Sequence, residues 1–247
     1  MIKHMPNYPN PPIVEAIIEL QFPSFFAGAV ELNSRLNDKF EALGYTESRR
    51  IKQMTFATQE DGEPTGPAPS SQVVGLQYRD EHHRKVFQVR EDKLVFSLLG
   101  KYKRWDELKS GARRIFDVVK DEASITDITR AGVRFINSIG IPNDDAPGIA
   151  LSDYFRIGPA IPEELNDSFS AFAVHVLMPR PEIDAEVSIQ ASTGSIEDPT
   201  FFLDIDVFSN SERNADDELW NQLATFREEK NRVFEHCITD EARKLFQ

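Results

Sequence analysis

The residues with the clearest capacity for chemistry are two pairs of like charge. Glu15 and Glu19 stand four apart in one apolar run, and Arg130 and Arg134 stand four apart in another. On a strand, residues two and four apart share a face, so each pair would present its two charges on one side. If the two strands were neighbours, two cross-strand Glu–Arg pairs would follow. A guanidinium fork holds a carboxylate through two parallel hydrogen bonds and tolerates partial burial. The pattern reads either as a polar pocket floor whose arginines hold an anionic ligand or as a structural ion-pair ladder on a half-covered sheet.

A second constellation is acidic. Glu182, Asp184 and Glu186 alternate with Ile183, Ala185 and Val187, and Asp204 and Asp206 alternate with Leu203, Ile205 and Val207. A hairpin of the two segments would put five carboxylates on one face. Directly opposed like charges destabilise a sheet, so such a face splays into water, meets a basic partner or binds a hard cation such as magnesium or calcium. The stripe is flat and comes from two strands only, whereas hard-cation sites converge from loops, so a solvated face is the expected outcome and no metal is assigned.

The five histidines give no metal-ligand spacing. His4 lies in the lead-in and His82 and His83 in a charged turn. His175 sits in an apolar strand and reads as a core histidine, and His236 precedes Cys237 near a helix end. Neighbours on a helix point about 100° apart, so Cys237 reads as packing and not as a nucleophile activated by His236. Residues 100–105 (GKYKRW), followed by Lys109, Arg113 and Arg114, mix cations with aromatic rings. Such a mixture can stack bases, but Trp105 falls on the apolar side of the helix that begins there. The chain contains no phosphate-loop, dinucleotide-fingerprint, nucleophile-elbow or HExxH motif, and no helix follows the Ser192–Ser195 turn.

These residues must be positioned by elements legible in the apolar pattern. Strands are expected at 13–22, 51–58, 72–79, 85–90, 94–99, 127–139, 168–178, 183–191 and 200–208. In the first, Val14, Ala16, Ile18, Leu20 and Phe22 form one face. Helices are expected at about 29–43, closed by Gly44, at 104–123, at 215–237 and at 240–246, the last with Thr239 as N-cap, plus a short one near 152–155. In the helix over 215–237 the buried side is Leu219, Leu223, Phe226, Lys230 by its stem, Val233 and Phe234. Gly62, Pro64, Gly66, Pro67 and Pro69 mark 59–71 as a surface loop. Adjacent strands followed by helices predict an α+β fold with antiparallel sheets covered by long amphipathic helices. The order strand, helix, strands, helix occurs twice, which suggests an internal duplication with halves 1–126 and 127–247 packed as one compact unit.

Composition limits what this fold can do. The 247 residues carry 28 Lys and Arg against 41 Asp and Glu, a formal net charge of -13. That balance weighs against general nucleic-acid binding, which needs clustered cations. The charge is uneven: residues 79–114 hold 11 basic and 6 acidic side chains, and residues 140–218 hold 3 basic and 17 acidic. Either both are solvated surfaces, or the two regions attract one another within the chain or between copies, or the basic one faces an anionic ligand. A single cysteine excludes an intramolecular disulfide framework. No apolar run approaches the ~18 residues of a membrane span, and the Pro-rich start lacks the core of a signal peptide, so a cytoplasmic location is expected.

Four stretches together carry a family resemblance: 12–22 (PIVEAIIELQF), 93–97 (KLVFS) leading to Trp105, 129–137 (TRAGVRFIN), and 231–235 (NRVFE) leading to Leu245 and Phe246. On these the chain resembles a sporadically distributed family of uncharacterised bacterial proteins of about this length. The resemblance implies a bacterial, cytoplasmic protein present in some strains and not others, a distribution associated with accessory or defence-linked genes. It supplies no catalytic residues, and it makes Glu15, Glu19, Arg130, Arg134 and Asn137 the candidate binding positions. The expectation that follows is a non-enzymatic binding or interaction module with a protein partner or a second copy of itself, a homodimer included, and with no cofactor, nucleic acid or membrane. The alternative is a small-molecule receptor or enzyme that holds an anionic ligand near Arg130 and Arg134.

Overall fold

The structure is a computed structural model that describes residues 8–23, 29–55, 58–60, 63–65, 70–141, 151–162, 164, 171–193 and 200–247. Its strands are β1 (Ile13–Gln21), β2 (Tyr45–Thr55), β3 (Thr58–Glu60), β4 (Glu63–Thr65), β5 (Ser70–Asp80), β6 (Lys85–Arg90), β7 (Lys93–Leu99), β8 (Asp127–Ile128), β9 (Arg130–Gly140), β10 (Ala173–Arg180), β11 (Ala185–Thr193), β12 (Thr200–Ser209) and β13 (Arg213–Asn214). The helices are α1 (Ala29–Ala42), α2 (Trp105–Ala123), α3 (Leu151–Tyr154), α4 (Asp217–Cys237) and α5 (Asp240–Lys244). Nine strands form one sheet in the order β10-β11-β12-β9-β1-β7-β6-β5-β2, with every neighbouring pair antiparallel. The fold is α+β. The sheet runs unbroken across the expected boundary at residues 126 and 127, because β1 pairs with β9.

Alternation along each strand decides the two faces of this sheet. In β1 the buried positions are Ala16, Ile18 and Leu20, and in β9 they include Ala131, Val133, Phe135 and Ile139. One helix layer covers that face: α1 packs on β2 and β5, α2 on β7 and β1, and α4 on β9 and β12. Helix α2 buries Leu108, Ala112, Ile115, Phe116 and Val119, the three-and-four spacing of a helix stripe. Each large side chain buried there contributes about 1.5–3 kcal/mol. Gly111 lets α2 approach closely, since a Cβ at that position would stand 2.5 Å from Phe96 Cζ. The Asp216 side chain accepts from the Glu218 N–H and starts α4.

Several expectations change in detail. The face read for β1 breaks near its start: the register shifts between Ile13 and Glu15, and Val14 is exposed at the irregularity. Strand β2 begins at Tyr45, six residues earlier than expected, directly after Gly44, whose positive φ ends the α1 segment. Within the expected loop, β3 and β4 pair as a small ladder, and residues 61–62 and 66–69 lie outside the described residues. The strand expected at 168–178 is observed at Ala173–Arg180, with 168–170 outside the described residues. The expected strand over 127–139 divides into β8 and β9.

Candidate functional site

The sequence-derived Glu–Arg ladder exists, in a different pairing. β1 and β9 are neighbours, but Arg134 stands opposite Ile17 and Glu19 opposite Gly132, so glutamates and arginines are diagonal and not directly opposed. Arg130 donates from Nη1 to Glu19 (3.1 Å) and from Nη2 to Asp206 (2.8 Å), and its guanidinium stacks over Phe208 at 4.5 Å. Gly132 makes the room, because a Cβ there would lie 3.2 Å from Arg130 Nη1 and 2.9 Å from Phe208 Cβ. Arg134 holds Asp204 as a fork, with contacts of 2.9 and 2.5 Å, and Glu15 acts on it only through space. These side chains alternate with Ala131, Val133 and Phe135, so they occupy the sheet face turned away from the helices. Burial outweighs both arginines at Asp206 and pushes its carboxyl up to about 6.

The acidic stripe is dissolved by local geometry. Pro181 opens a short 3-10 turn, Pro181–Ile183, which takes Glu182 off the strand. Asp184 follows in the left-handed region (φ 49) and accepts from Ser211 Oγ (2.8 Å) and Arg213 Nη2 (3.3 Å). Glu186 alone of the three lies on β11, opposite Phe208, while Asp204 and Asp206 are held by the arginines. Five carboxylates therefore do not share a face. Among the described residues no three His, Cys, Asp or Glu converge as a metal cluster. His175 is exposed and shares a hydrogen bond with Ser188 (2.9 Å), a correction to its reading as a core residue that follows from the edge position of β10. His4 lies outside the described residues. Cys237 is buried, and burial pushes its thiol up to about 11. The two charged regions meet at Arg113–Asp217 (2.5 Å), an exposed pair of small energetic weight.

On the helix-covered side the structure assembles a site that periodicity alone did not reveal. A cavity of about 410 Å³ opens between α4, the end of β9 and the lead-in at Tyr8–Ile13. Its polar lining includes Asn137, Tyr102, Lys103, Arg227, Lys230 and Glu235. Lys230 occupies a position of the apolar stripe of α4 and is only 5% exposed. Its Nζ stands 3.8 Å from the centroid of Phe135, and burial, with Arg227 nearby, pushes the amine down from 10.5 to about 7. The Tyr102 ring meets the same Phe135 edge-on at 5.3 Å, so both polar groups flank one aromatic ring. The Tyr102 hydroxyl is buried without a hydrogen-bond partner among the described residues, and burial raises it to about 12. Arg227 lies close enough to pull against that rise, by its charge and as a donor directed at the hydroxyl oxygen, without completing a well-formed hydrogen bond.

The remaining acid of the cavity is already engaged. Glu235 accepts from Tyr8 Oη (2.8 Å) and Arg243 Nε (3.0 Å). Among the described residues no carboxylate forms an ion pair with Lys230. Asn137, 1% exposed, donates to Leu203 O (2.8 Å), which sets its amide against the cavity. Of the five positions singled out from sequence, Asn137 alone lines this cavity. Lys230 carried a detectable signal: a lysine where the helix stripe demands an apolar residue. The lead-in that lines one side of the cavity is tied down by Asn10, whose N–H bonds Phe246 O (3.0 Å). No protein-family model matches the chain, and no curated protein matches it.

Proposed function

We propose that this chain is a non-enzymatic binding protein whose cavity beside α4 takes a small organic anion. The observation that carries the reading is Lys230: a nearly buried amine lining a cavity, with no carboxylate paired to it among the described residues, Glu235 acting on it only through space while held by Tyr8 and Arg243, and with Arg227 and Lys103 in the same lining. A buried cation without a partner is costly, and an anionic ligand would offset that cost. This replaces Arg130 and Arg134 as the ligand-holding groups, because both are already paired with Glu19, Asp206 and Asp204 on the other face, away from the cavity. Calorimetric titration with small mono- and dicarboxylates at pH 6 tests it. Binding should appear in the wild type and weaken at least about tenfold in Arg227→Gln, the effect of losing one charge-assisted contact. Heatless titrations across the series would refute the reading.

A second reading, self-association through the open sheet face, is favoured by charge. Register places Arg49, Arg79, Arg90 and Lys93 on the β2–β7 part of that face, and Glu15, Glu19, Glu186, Asp204 and Asp206 with two arginines on the β1–β12 part. Two copies related by a two-fold axis would set unlike halves against each other. Sedimentation at low and high salt distinguishes a salt-sensitive dimer from a monomer. The order of strands also supports the duplication reading. β1-β7-β6-β5 on one side is matched by β9-β12-β11-β10 on the other, and α2 follows β7 as α4 follows β12.

A further inference from the structure

The cavity combines features that a simple anion site does not require. A cation meant only to pair with an anion is best kept protonated and within reach of water. Lys230 is instead set against an aromatic ring in the interior. An arginine lies on its own helix, and the nearest acid is occupied. The groups that act on it are Arg227 and Glu235 from α4, while Tyr102, Lys103 and Tyr8 share its cavity and Arg243 of α5 holds Glu235. Such surroundings favour the neutral amine, which is a nucleophile. Beside the same ring stands a buried hydroxyl with an unused proton.

Resting on the cavity as a ligand site, we propose that Lys230 captures its ligand covalently and reversibly, and that the ligand class is the small oxo acids, carbonyl compounds bearing a carboxylate. The lone pair of Lys230 Nζ attacks the carbonyl carbon, and the C=O π pair moves to oxygen. That oxygen takes one proton and the nitrogen loses one, giving a neutral carbinolamine. Water then leaves with the former carbonyl oxygen, and a C=N bond remains. The sum is amine plus carbonyl giving imine plus water, with no oxidation or reduction. Tyr102 is the group placed to supply the proton to oxygen, since its raised pKa keeps the hydroxyl protonated. Arg227, in the same lining, is placed to hold the carboxylate.

The test uses the full chain with pyruvate as the carbonyl probe and lactate as its non-carbonyl counterpart. Incubation with pyruvate and sodium cyanoborohydride, followed by peptide mass mapping, reads where an imine formed. At pH 7 a group titrating near 7 is about half neutral, against well under a thousandth for an exposed lysine. Trapping at Lys230 should therefore exceed that at exposed Lys101 by at least about tenfold and rise as pH increases through about 7. Lys230→Arg, which keeps a cation, should abolish the adduct, and Tyr102→Phe should slow its formation without removing lactate binding. Lactate binding with no preferential adduct at Lys230 overturns covalent capture while leaving the anion site standing. Binding of neither compound overturns both for this ligand class.

Discussion

Replacing Lys230 by methionine tests whether the amine is as poorly accommodated as the geometry indicates. The side chain is 5% exposed, and burial takes its amine from 10.5 to about 7. At about 1.36 kcal/mol per unit, holding the ammonium in the folded protein costs on the order of 5 kcal/mol relative to the unfolded chain. The Phe135 face 3.8 Å from Nζ is the apolar surrounding that the ammonium meets in place of water. Methionine retains the apolar stem and places its sulfur against the same ring, so little packing is lost. The substitution should stabilise the protein by up to about 5 kcal/mol where the lysine is charged. The sign with pH follows from linkage. The folded value lies below the unfolded one, so between about 7 and 10.5 the unfolded chain binds more protons, and wild-type stability rises with pH through that window. The gain from methionine should therefore be full at pH 6 and clearly smaller at pH 9. Urea midpoints of both proteins at pH 6, 7.5 and 9, with unchanged m-values, measure it. A Lys230→Met protein less stable than wild type at pH 6, or a difference flat with pH, would refute the reasoning and reveal a counter-charge held by the native state.

Other perturbations separate the sheet from the helix layer. Gly132→Ala should cost about 1–3 kcal/mol by driving a Cβ into Phe208 and the Arg130 fork, read as a lowered melting temperature. Gly111→Ala should cost a similar amount, about 1–3 kcal/mol, because Phe96 lies in the way, whereas the same change at open Gly140 should leave the midpoint nearly unmoved. Arg130→Met strands Glu19 and the partly buried Asp206, with an expected loss of about 3 kcal/mol at pH 7. Arg130 holds the Asp206 carboxyl down to about 6 against burial, so in the variant it takes up its proton at higher pH, and that loss should shrink as pH falls towards 6. A thiol reagent at pH 8 should label Cys237 only at the rate of unfolding, and fast labelling of the native protein would contradict its burial.

Legibility followed the range of the interactions. Alternation in β1 and β9 and the stripes of α2 and α4 announced the elements, since each is decided by which residues avoid water along a few turns or strand residues. The pairing of charges was not legible, because Arg130 chose Asp206 and Arg134 chose Asp204 from a strand that only the sheet order makes a neighbour. The acidic stripe failed at Pro181, where a local turn overrode period-two patterning. The helical period places the stem of Lys230 on the buried stripe of α4, and only the packing of β9 and the lead-in against that stripe gives its amine a cavity.

By itself the sequence determined the kind of each main element, the side it buries and the excess of acid over base, all properties of residues near one another in the chain or of simple counting. The tertiary structure alone decided that Asn137, Tyr102 and Lys230, which belong to distant segments, line one cavity, the last two against the buried ring of Phe135, and that the candidate arginines face the other way. The physical reason is that a strand or helix obtains its faces from local periodicity, whereas a site depends on which faces meet, and that is settled by the burial and hydrogen bonding of the whole sheet.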